Sequence, residues 1–218
     1  MESFDEVCNK INTEIISDDA DDRAEYLKHF KTDVDKFTFA MATAFMGWRK
    51  LDNTIKGDEK RAYVSGLVYT AITLHILSLK LFISGHTVAA GNLMRQVLES
   101  IALALLCAGK NLGILEQFMD RSYRSNNAIR DVMKHYKILE LKEPGVRQLS
   151  EAQKFYHQYS HPTLLTLATG MSDGVLYVGA SFDESKIEAY TKEINSRVGL
   201  AEVFDNFIYA VYANLSKW

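Results

Sequence analysis

The chain has 218 residues, of which 47% are hydrophobic and 24% charged, a composition that is ordinary for a globular protein of one domain. Its net charge of −3 excludes a broad attraction to nucleic acid or anionic membranes, so that any such binding would have to be local. The scarcity of proline favours helices. Two distant cysteines and an acidic N-terminus without an apolar core predict a cytoplasmic protein without a secretory signal.

The first part of the chain carries apolar residues at helical spacing. They predict a short amphipathic helix over 3–16 and a longer helix over about 21–50. A turn around Gly57 leads to a third helix, over 59–84. Its apolar stretch at 64–82 is close to the length of a membrane span, but serines and threonines dilute it. We therefore expect a buried core helix and no membrane span.

The stretch 81–108 predicts the element around which the rest of the fold is organised. Gly85 ends the preceding helix, and a new helix starts near Thr87, whose hydroxyl can cap it. This helix is apolar almost all round, which is typical of a buried element. We expect three of its residues to be fully buried: Leu98, Ile101 and Leu105.

Three polar side chains, Asn92, Arg95 and Glu99, interrupt this apolar helix at spacings of three and four residues. Polar groups in a core need partners, because an unpaired one costs about 1–3 kcal/mol. With arginine first, the pair is in the less favourable order for simply stabilising a helix. Arg95 could therefore hold an anion while Glu99 orients it. The alternative is a buried charge network that ties helices together.

The remainder of the chain is predicted to be mostly helical. The segment 112–141 has a polar middle that is either exposed or lines a cleft, and Pro144 starts another helix. The residues 164–178 carry the one hairpin-like pattern in the sequence. After it comes a C-terminal apolar stripe: Phe204, Phe207, Ile208, Val211, Tyr212 and Leu215. The prediction is an all-α helical bundle, one domain over 1–218, with a small β-hairpin near residues 164–178.

His157 and His161 lie four residues apart, where a helix can present both imidazoles on one face. Pro162 stops that helix and leaves carbonyl groups that need donors. We expect this helix end to abut the central helix. At least one of the two histidines would then lie within hydrogen-bonding reach of Arg95 or Glu99, directly or through one water or ion.

Arg130 and His135 match the Arg-x4–6-His pattern of the HEPN superfamily of helical ribonucleases and nucleotide-binding proteins. In that superfamily the pair would polarise a 2′-hydroxyl and stabilise the phosphate transition state. A second similarity is carried by the stretch 85–99 together with the later sequence Tyr159-Ser160-His161-Pro162. Here the chain resembles bacterial all-helical families with an "LxRxxxE" helix and a later Ser-His-Pro element, some related to abortive-infection proteins. The resemblance implies that Arg95, Glu99 and His161 meet in one polar pocket.

Three functions follow as hypotheses. The first is a binding or effector module with a polar pocket in its core, in a defence or stress context, with RNA, a nucleotide or another anion as its ligand. The second is a HEPN-like, metal-independent ribonuclease that uses Arg130 and His135. The third is a purely structural or oligomerising protein, a homodimer for example, whose C-terminal aromatic stripe could pack within the fold or against a second copy. The sequence has no phosphate-binding loop, nucleophile elbow or CxxC pair, and no cofactor or metal is predicted.

Overall fold

The structure is a computed structural model, which describes residues 3–172, 175–176 and 179–218. Its helices are α1 (Phe4–Ile16), α2 (Ala20–Asp52), α3 (Glu59–Ile83), α4 (Thr87–Ala108), α5 (Ile114–Met119), α6 (Ala128–His135), α7 (Glu143–Tyr156), α8 (Leu164–Thr169), α9 (Ile187–Glu202) and α10 (Phe204–Leu215). Short 3₁₀ turns lie at Lys110–Leu112, Ser125–Asn127, His157–Ser160 and Glu184–Lys186. The prediction of an all-α fold is confirmed.

Helix α4 lies at the centre of the fold. It packs along α3 and also contacts α6, α7 and α10. Leu98, Ile101 and Leu105 are buried, as predicted. Gly85 adopts a left-handed backbone with φ of 84° between α3 and α4, and a side chain there would collide with the backbone of Ser181. The predicted Thr87 cap is wrong, because Thr87 is already the first helical residue and α4 has no side-chain cap.

The other long helices surround this centre. Helices α2 and α3 lie side by side, where Trp48 Nε1 donates a hydrogen bond of 2.9 Å to Ser65 Oγ. Helix α9 packs on α2, and α10 contacts both α2 and α4. Helix α1 has a capping box formed by Ser3 and Glu6 but no buried residue. Local sequence therefore forms α1, whereas packing stabilises the other long helices.

The segment 112–141, which was predicted to be mostly helical with a polar middle, forms two short helices with a break between them. Gly113 takes a left-handed conformation before α5, which ends at Met119. Arg121 has a φ of 65°, a conformation that interrupts a right-handed helix, and α6 does not begin until Ala128. The polar residues between α5 and α6 thus form a connection between two separate helices.

A β-hairpin of the predicted extent is not seen at 164–178. Its predicted first strand is helix α8, which begins with a capping box between Thr163 and Thr166. The capping box favours a helix over the strand that leucine and threonine alternation suggested. Beyond α8, Met171–Ser172 pairs with Val175–Leu176 over two residues on each side. Residues 173–174 and 177–178, which belong to the predicted hairpin, lie outside the described residues.

The C-terminal apolar stripe packs inside the fold. Four of its residues are buried against the core: Phe204, Ile208, Val211 and Leu215. Phe207 is partly buried and contacts the ring of Phe204, while Tyr212 is 43% exposed. The stripe therefore stabilises the monomer, and most of it is not available as the oligomer interface that the sequence suggested.

Helix α3 is, in the part of the chain that the structure describes, the one helix long and apolar enough to cross a membrane. Its most apolar 18 residues have a mean hydropathy of 1.7, and 39% of them are buried. Core helices of soluble proteins pass the same test of length and composition. The expectation of no membrane span thus stays a prediction, and so does the cytoplasmic location.

Candidate functional site

The polar stripe on α4 faces the 3₁₀ turn at the end of α7. Ser160 Oγ donates a hydrogen bond of 2.9 Å to Asn92 Oδ1, and so the helix end before Pro162 does abut the central helix, as expected. Arg95 and Glu99 bond to each other, with 2.8 Å between Nε and Oε1 and exposed fractions of 20% and 15%. No further ion pair of either side chain is found within the described residues. Arg95 and Glu99 therefore neutralise each other at the edge of the core.

The two histidines lie at the surface. His157 and His161 are exposed, and their rings contact each other with 4.7 Å between centroids. Among the residues that the structure describes, no hydrogen bond or ion pair joins either histidine directly to Arg95 or Glu99. The direct form of the expected pocket is thus not present. Whether Asn92, Arg95, Glu99, His157 and His161 bind a ligand stays a prediction.

Arg130 and His135 both lie on α6, but on different sides of it. Residues five apart on an α-helix are rotated by about 140° relative to each other. The Arg130 side chain is 73% exposed, and its Nε lies 3.3 Å from Asp131 Oδ1. His135 instead lines a cleft of which Arg130 is not part. Within a single copy of the protein, Arg130 and His135 therefore do not lie together. Their catalytic role stays a prediction.

A cleft with a volume of about 500 Å³ lies beside α6. We call it the α5–α6 cleft. Its lining is mostly polar and comes from α5, the connection after it and α6: Ile114, Gln117, Ser122, Tyr123, Arg124, Asn127, Asp131, Lys134 and His135. The polar middle predicted between 112 and 141 thus lines a cleft because the helix is interrupted there.

Two cations of the α5–α6 cleft are not neutralised by the protein. Arg124 and Lys134 are exposed, and within the described structure neither side chain has a hydrogen bond or an ion pair. The one acid in the lining, Asp131, accepts a hydrogen bond of 2.9 Å from Tyr123 Oη and also contacts Arg130. Burial and then the bond to Asp131 raise the pKa of Tyr123 above its usual value, so that it remains a neutral donor. The cleft thus combines unpaired positive charge with hydroxyl and amide groups.

A second polar group lies deep in the core around Arg197 of α9. Arg197 is fully buried, and its Nη1 lies 2.5 Å from Glu193 Oε2 one turn earlier. Its Nε donates a hydrogen bond of 3.1 Å to Ser78 Oγ on α3, and its guanidinium carbon lies 4.6 Å from the centre of the Phe82 ring. Ser78 in turn donates to the Ala90 carbonyl of α4. One arginine therefore links α9, α3 and, through Ser78, α4.

Two tyrosines connect this group to the end of α7. Tyr159 Oη donates a hydrogen bond of 2.8 Å to Glu193 Oε1, and Tyr156 Oη lies 3.1 Å from the other carboxylate oxygen. Burial raises the pKa of Tyr156 to about 12 and also raises that of Tyr159, so that both remain neutral donors. The Tyr159 ring lies directly on Gly91 of α4, where a β-carbon would overlap with it.

His75 completes the group, which we call the Arg197 cluster: His75, Ser78, Tyr156, Tyr159, Glu193 and Arg197. His75 is fully buried between the rings of Phe37 and Phe204, and its Nε2 lies 3.0 Å from the Arg197 carbonyl oxygen. Burial, and then the charge of Arg197, lower the pKa of His75 to about 3. His75 is therefore neutral and donates through Nε2. The cluster links α3, α7 and α9 in the core.

One group of side chains could hold a metal ion, as far as the described residues go. Glu14, Asp19 and His86 offer ligand atoms that lie within 4.8 Å of one another. Each has a partner inside the protein, because His86 Nε2 lies 3.0 Å from Asp19 Oδ2 and Glu14 accepts a hydrogen bond from the Ala180 amide. These contacts account for the group without a metal. They attach the turn after α1 to the start of α4, and α1 itself to the segment at Ala180.

Sequence reasoning missed the Arg197 cluster. Arg197 lies on a helix of ordinary polarity, and its partners His75 and Ser78 are more than one hundred residues away in the chain. Two signals were available: a histidine and a serine three residues apart within the apolar α3, and Glu193 before Arg197 in the order that favours an ion pair on a helix. Neither signal indicates that His75 and Ser78 on α3 contact Arg197 on α9.

Comparisons with known proteins do not add a relative. No protein-family model matches the chain. Neither a curated protein nor a solved structure matches it. The similarity to HEPN and abortive-infection proteins therefore stays a prediction from short motifs. The geometry of the chain itself carries the proposals that follow.

Proposed function

We propose that this protein is a binding module that takes a phosphate-bearing ligand, RNA or a nucleotide, in the α5–α6 cleft. The observation that carries the proposal is the pair of cations Arg124 and Lys134, which line one cleft without an internal partner in the described structure. Unpaired cations in a concave polar surface favour an anion, and arginine binds phosphate oxygens in a bidentate manner. The defence or stress context remains a prediction from the resemblance.

The cleft can supply more than charge. Asn127 adds a neutral hydrogen-bond donor, and Ile114 adds an apolar contact. Neutral donors and apolar contacts orient a ligand that charge attracts. The net charge of −3 means that this attraction is confined to the cleft. We therefore expect modest affinity with a clear dependence on salt, because phosphate binding releases counterions.

The test is fluorescence anisotropy with two labelled probes, a twelve-nucleotide single-stranded RNA and ATP. The double variant Arg124→Gln/Lys134→Gln should weaken binding about tenfold or more, since each lost contact is a charge-assisted hydrogen bond. The matched control is Arg49→Gln/Lys50→Gln, which removes the same charges from the exposed end of α2. Equal loss in both variants would mean unspecific attraction, and no binding of either probe would refute the proposal. The two probes distinguish a polynucleotide from a nucleotide ligand.

A ribonuclease is the second candidate, because His135 lines the same cleft as the two cations. His135 would act on a 2′-hydroxyl, and Arg124 or Lys134 would stabilise the phosphate. This assignment differs from the predicted pair, because Arg124 or Lys134 takes the role that was predicted for Arg130. The purified chain should then degrade RNA in EDTA, and His135→Ala should abolish this without unfolding the protein. Activity that survives in His135→Ala, or its absence in the unmodified chain, would eliminate the ribonuclease.

A further inference from the structure

Helix α3 presents one face to solvent that carries no charge over most of its length. Its central positions are Ala62, Gly66, Tyr69, Thr70, Thr73 and Leu77. Tyr69 is 42% and Leu77 is 41% exposed, and Thr73 is partly exposed. We call these six residues, with Glu59 before them and Lys80 after them, the α3 face. A contiguous uncharged surface of this kind is typical of an interaction site.

The two threonine hydroxyls of the α3 face are already satisfied within the helix. Thr70 Oγ1 donates a hydrogen bond of 2.8 Å to the Gly66 carbonyl, and Thr73 Oγ1 donates one of 3.1 Å to the Tyr69 carbonyl. Burying these hydroxyls in an interface would therefore cost little, because no hydrogen bond is lost. The threonines thus present their methyl groups to a partner.

The charges at the two ends of the α3 face are opposite. Glu59 and Lys80 are both exposed, and neither has a hydrogen bond or an ion pair within the described residues. The residues between them are arranged symmetrically about the midpoint of Tyr69 and Thr70. A second copy of α3 in antiparallel orientation would therefore place the partner's Lys80 beside Glu59, and the partner's Glu59 beside Lys80.

We propose that the α3 face binds a second copy of this chain around a twofold axis near Tyr69 and Thr70. In that arrangement Gly66 lies opposite the partner's Thr73, and Ala62 opposite the partner's Leu77. Small residues facing each other let two helices approach closely. A twofold axis requires one surface that is complementary to itself, and opposite charges at equal distances from the centre meet that requirement.

The size of the face sets the expected affinity. The α3 face is about 30 Å long, and α2 packs beside α3, so that a partner lying across both helices would cover a surface about two helices wide. This gives about 600 Å² for each chain, near the lower limit of specific interfaces. The dimer should therefore be reversible, with a dissociation constant in the micromolar range.

The experiment is analytical ultracentrifugation of the full chain from about 1 to 200 μM. Gly66→Gln inserts a long side chain at the centre of the interface, where the described residues leave the position of a β-carbon open. Gly199→Gln, in the middle of α9, is the matched control because its surroundings are equally open. Gly66→Gln should raise the dissociation constant at least tenfold, and Gly199→Gln should leave it unchanged. A chain that is monomeric at 200 μM, or equal effects of both variants, would overturn the proposal.

A charge exchange tests the orientation. Glu59→Lys should raise the dissociation constant about tenfold, because it places two lysines together at both ends of the interface. Glu59→Lys/Lys80→Glu should restore the original value. A dimer without this restoration would contradict the antiparallel pairing. Flotation of the full chain with phosphatidylcholine vesicles, without dimer formation, would assign the face to a membrane instead and overturn the proposal.

Discussion

Two polar regions of this molecule differ in whether their positive charges have partners inside the described protein. In the Arg197 cluster the guanidinium is fully buried, paired with Glu193 and bonded to Ser78. In the α5–α6 cleft Arg124 and Lys134 stand in contact with water, and the described protein offers neither of them a partner. A buried charge must be paired inside the fold, whereas an exposed charge is free to meet a ligand. The first region therefore stabilises the fold, and the second is the better candidate for binding.

The largest expected effect tests the stabilising role of the cluster. Arg197→Leu should lower the free energy of unfolding by about 3–5 kcal/mol, because Glu193 is left nearly buried without its cation. The control is Arg147→Leu on α7, where the same type of pair with Glu143 lies at the surface and its removal should not change stability measurably. Urea denaturation of the three proteins measures this. Similar losses in both variants would contradict the distinction between buried and exposed pairs.

The second effect concerns the pH dependence of the same cluster. Folding lowers the pKa of His75 to about 3 because of burial, while in the unfolded chain the imidazole titrates near the ordinary histidine value of 6.5. The unfolded state thus binds a proton that the folded state excludes, so that stability is complete above pH 6.5 and falls towards pH 3. Between pH 7 and pH 5 the loss should be about 2 kcal/mol.

The variant His75→Gln separates this loss from other titrating groups. Glutamine can still donate a hydrogen bond to the Arg197 carbonyl but does not titrate. Its stability should fall by about 2 kcal/mol less between pH 7 and pH 5 than that of the unmodified chain. His161→Gln, at an exposed position, should retain the full dependence. Identical pH profiles for all three proteins would show that His75 is accessible to protons in the fold.

A smaller effect is expected where α4 meets the cluster. Gly91→Ala adds a β-carbon that overlaps with the Tyr159 ring, and the ring cannot move without disturbing its hydrogen bond to Glu193. The loss should be about 1–2 kcal/mol, after the helix preference of alanine is allowed for. Gly199→Ala has open space and should gain up to about 1 kcal/mol. Thermal unfolding of the two variants shows directly whether each substitution stabilises or destabilises the protein. A stabilised Gly91→Ala would contradict the close contact.

The smallest effect is expected in the cleft. Arg124→Gln/Lys134→Gln should change stability by less than about 0.5 kcal/mol, since no internal pair is broken among the described residues. Urea denaturation of the variant that is used in the binding test measures this. A loss of 2 kcal/mol or more would mean that the cleft stabilises the fold, which would remove the contrast with the Arg197 cluster.

The sequence predicted the helices better than it predicted the contacts between them. The central helix was expected to start near Thr87 within the stretch 81–108, and α4 spans Thr87–Ala108, with Gly109 directly after it. Such bounds follow from local signals, namely an apolar pattern between two glycines. The error at α8 is also local, because leucines and threonines in a short run fit a strand or a helix, and the bond between Thr163 and Thr166 favours the helix.

The polar sites could be predicted only in part. Arg95 and Glu99 were correctly expected to lie together, since their spacing alone determines it. Partners far apart in the chain cannot be derived from spacing, and the hydrogen bond between Ser160 and Asn92 was therefore not predicted. For the same reason nothing in the sequence joined His75 to Arg197. The interruption after α5, which creates the cleft, depends on left-handed residues such as Arg121 that the sequence does not mark.

The burial of Cys107 inside α4 has a consequence for experiments on this chain. Its thiol is fully buried, and burial raises its pKa to about 12, whereas Cys8 on α1 is exposed. A thiol reagent at neutral pH should therefore modify Cys8 at once and reach Cys107 only in molecules that have opened their core. The slow reaction reports the opening of the bundle around α4, and the fast one provides an internal reference in the same molecule.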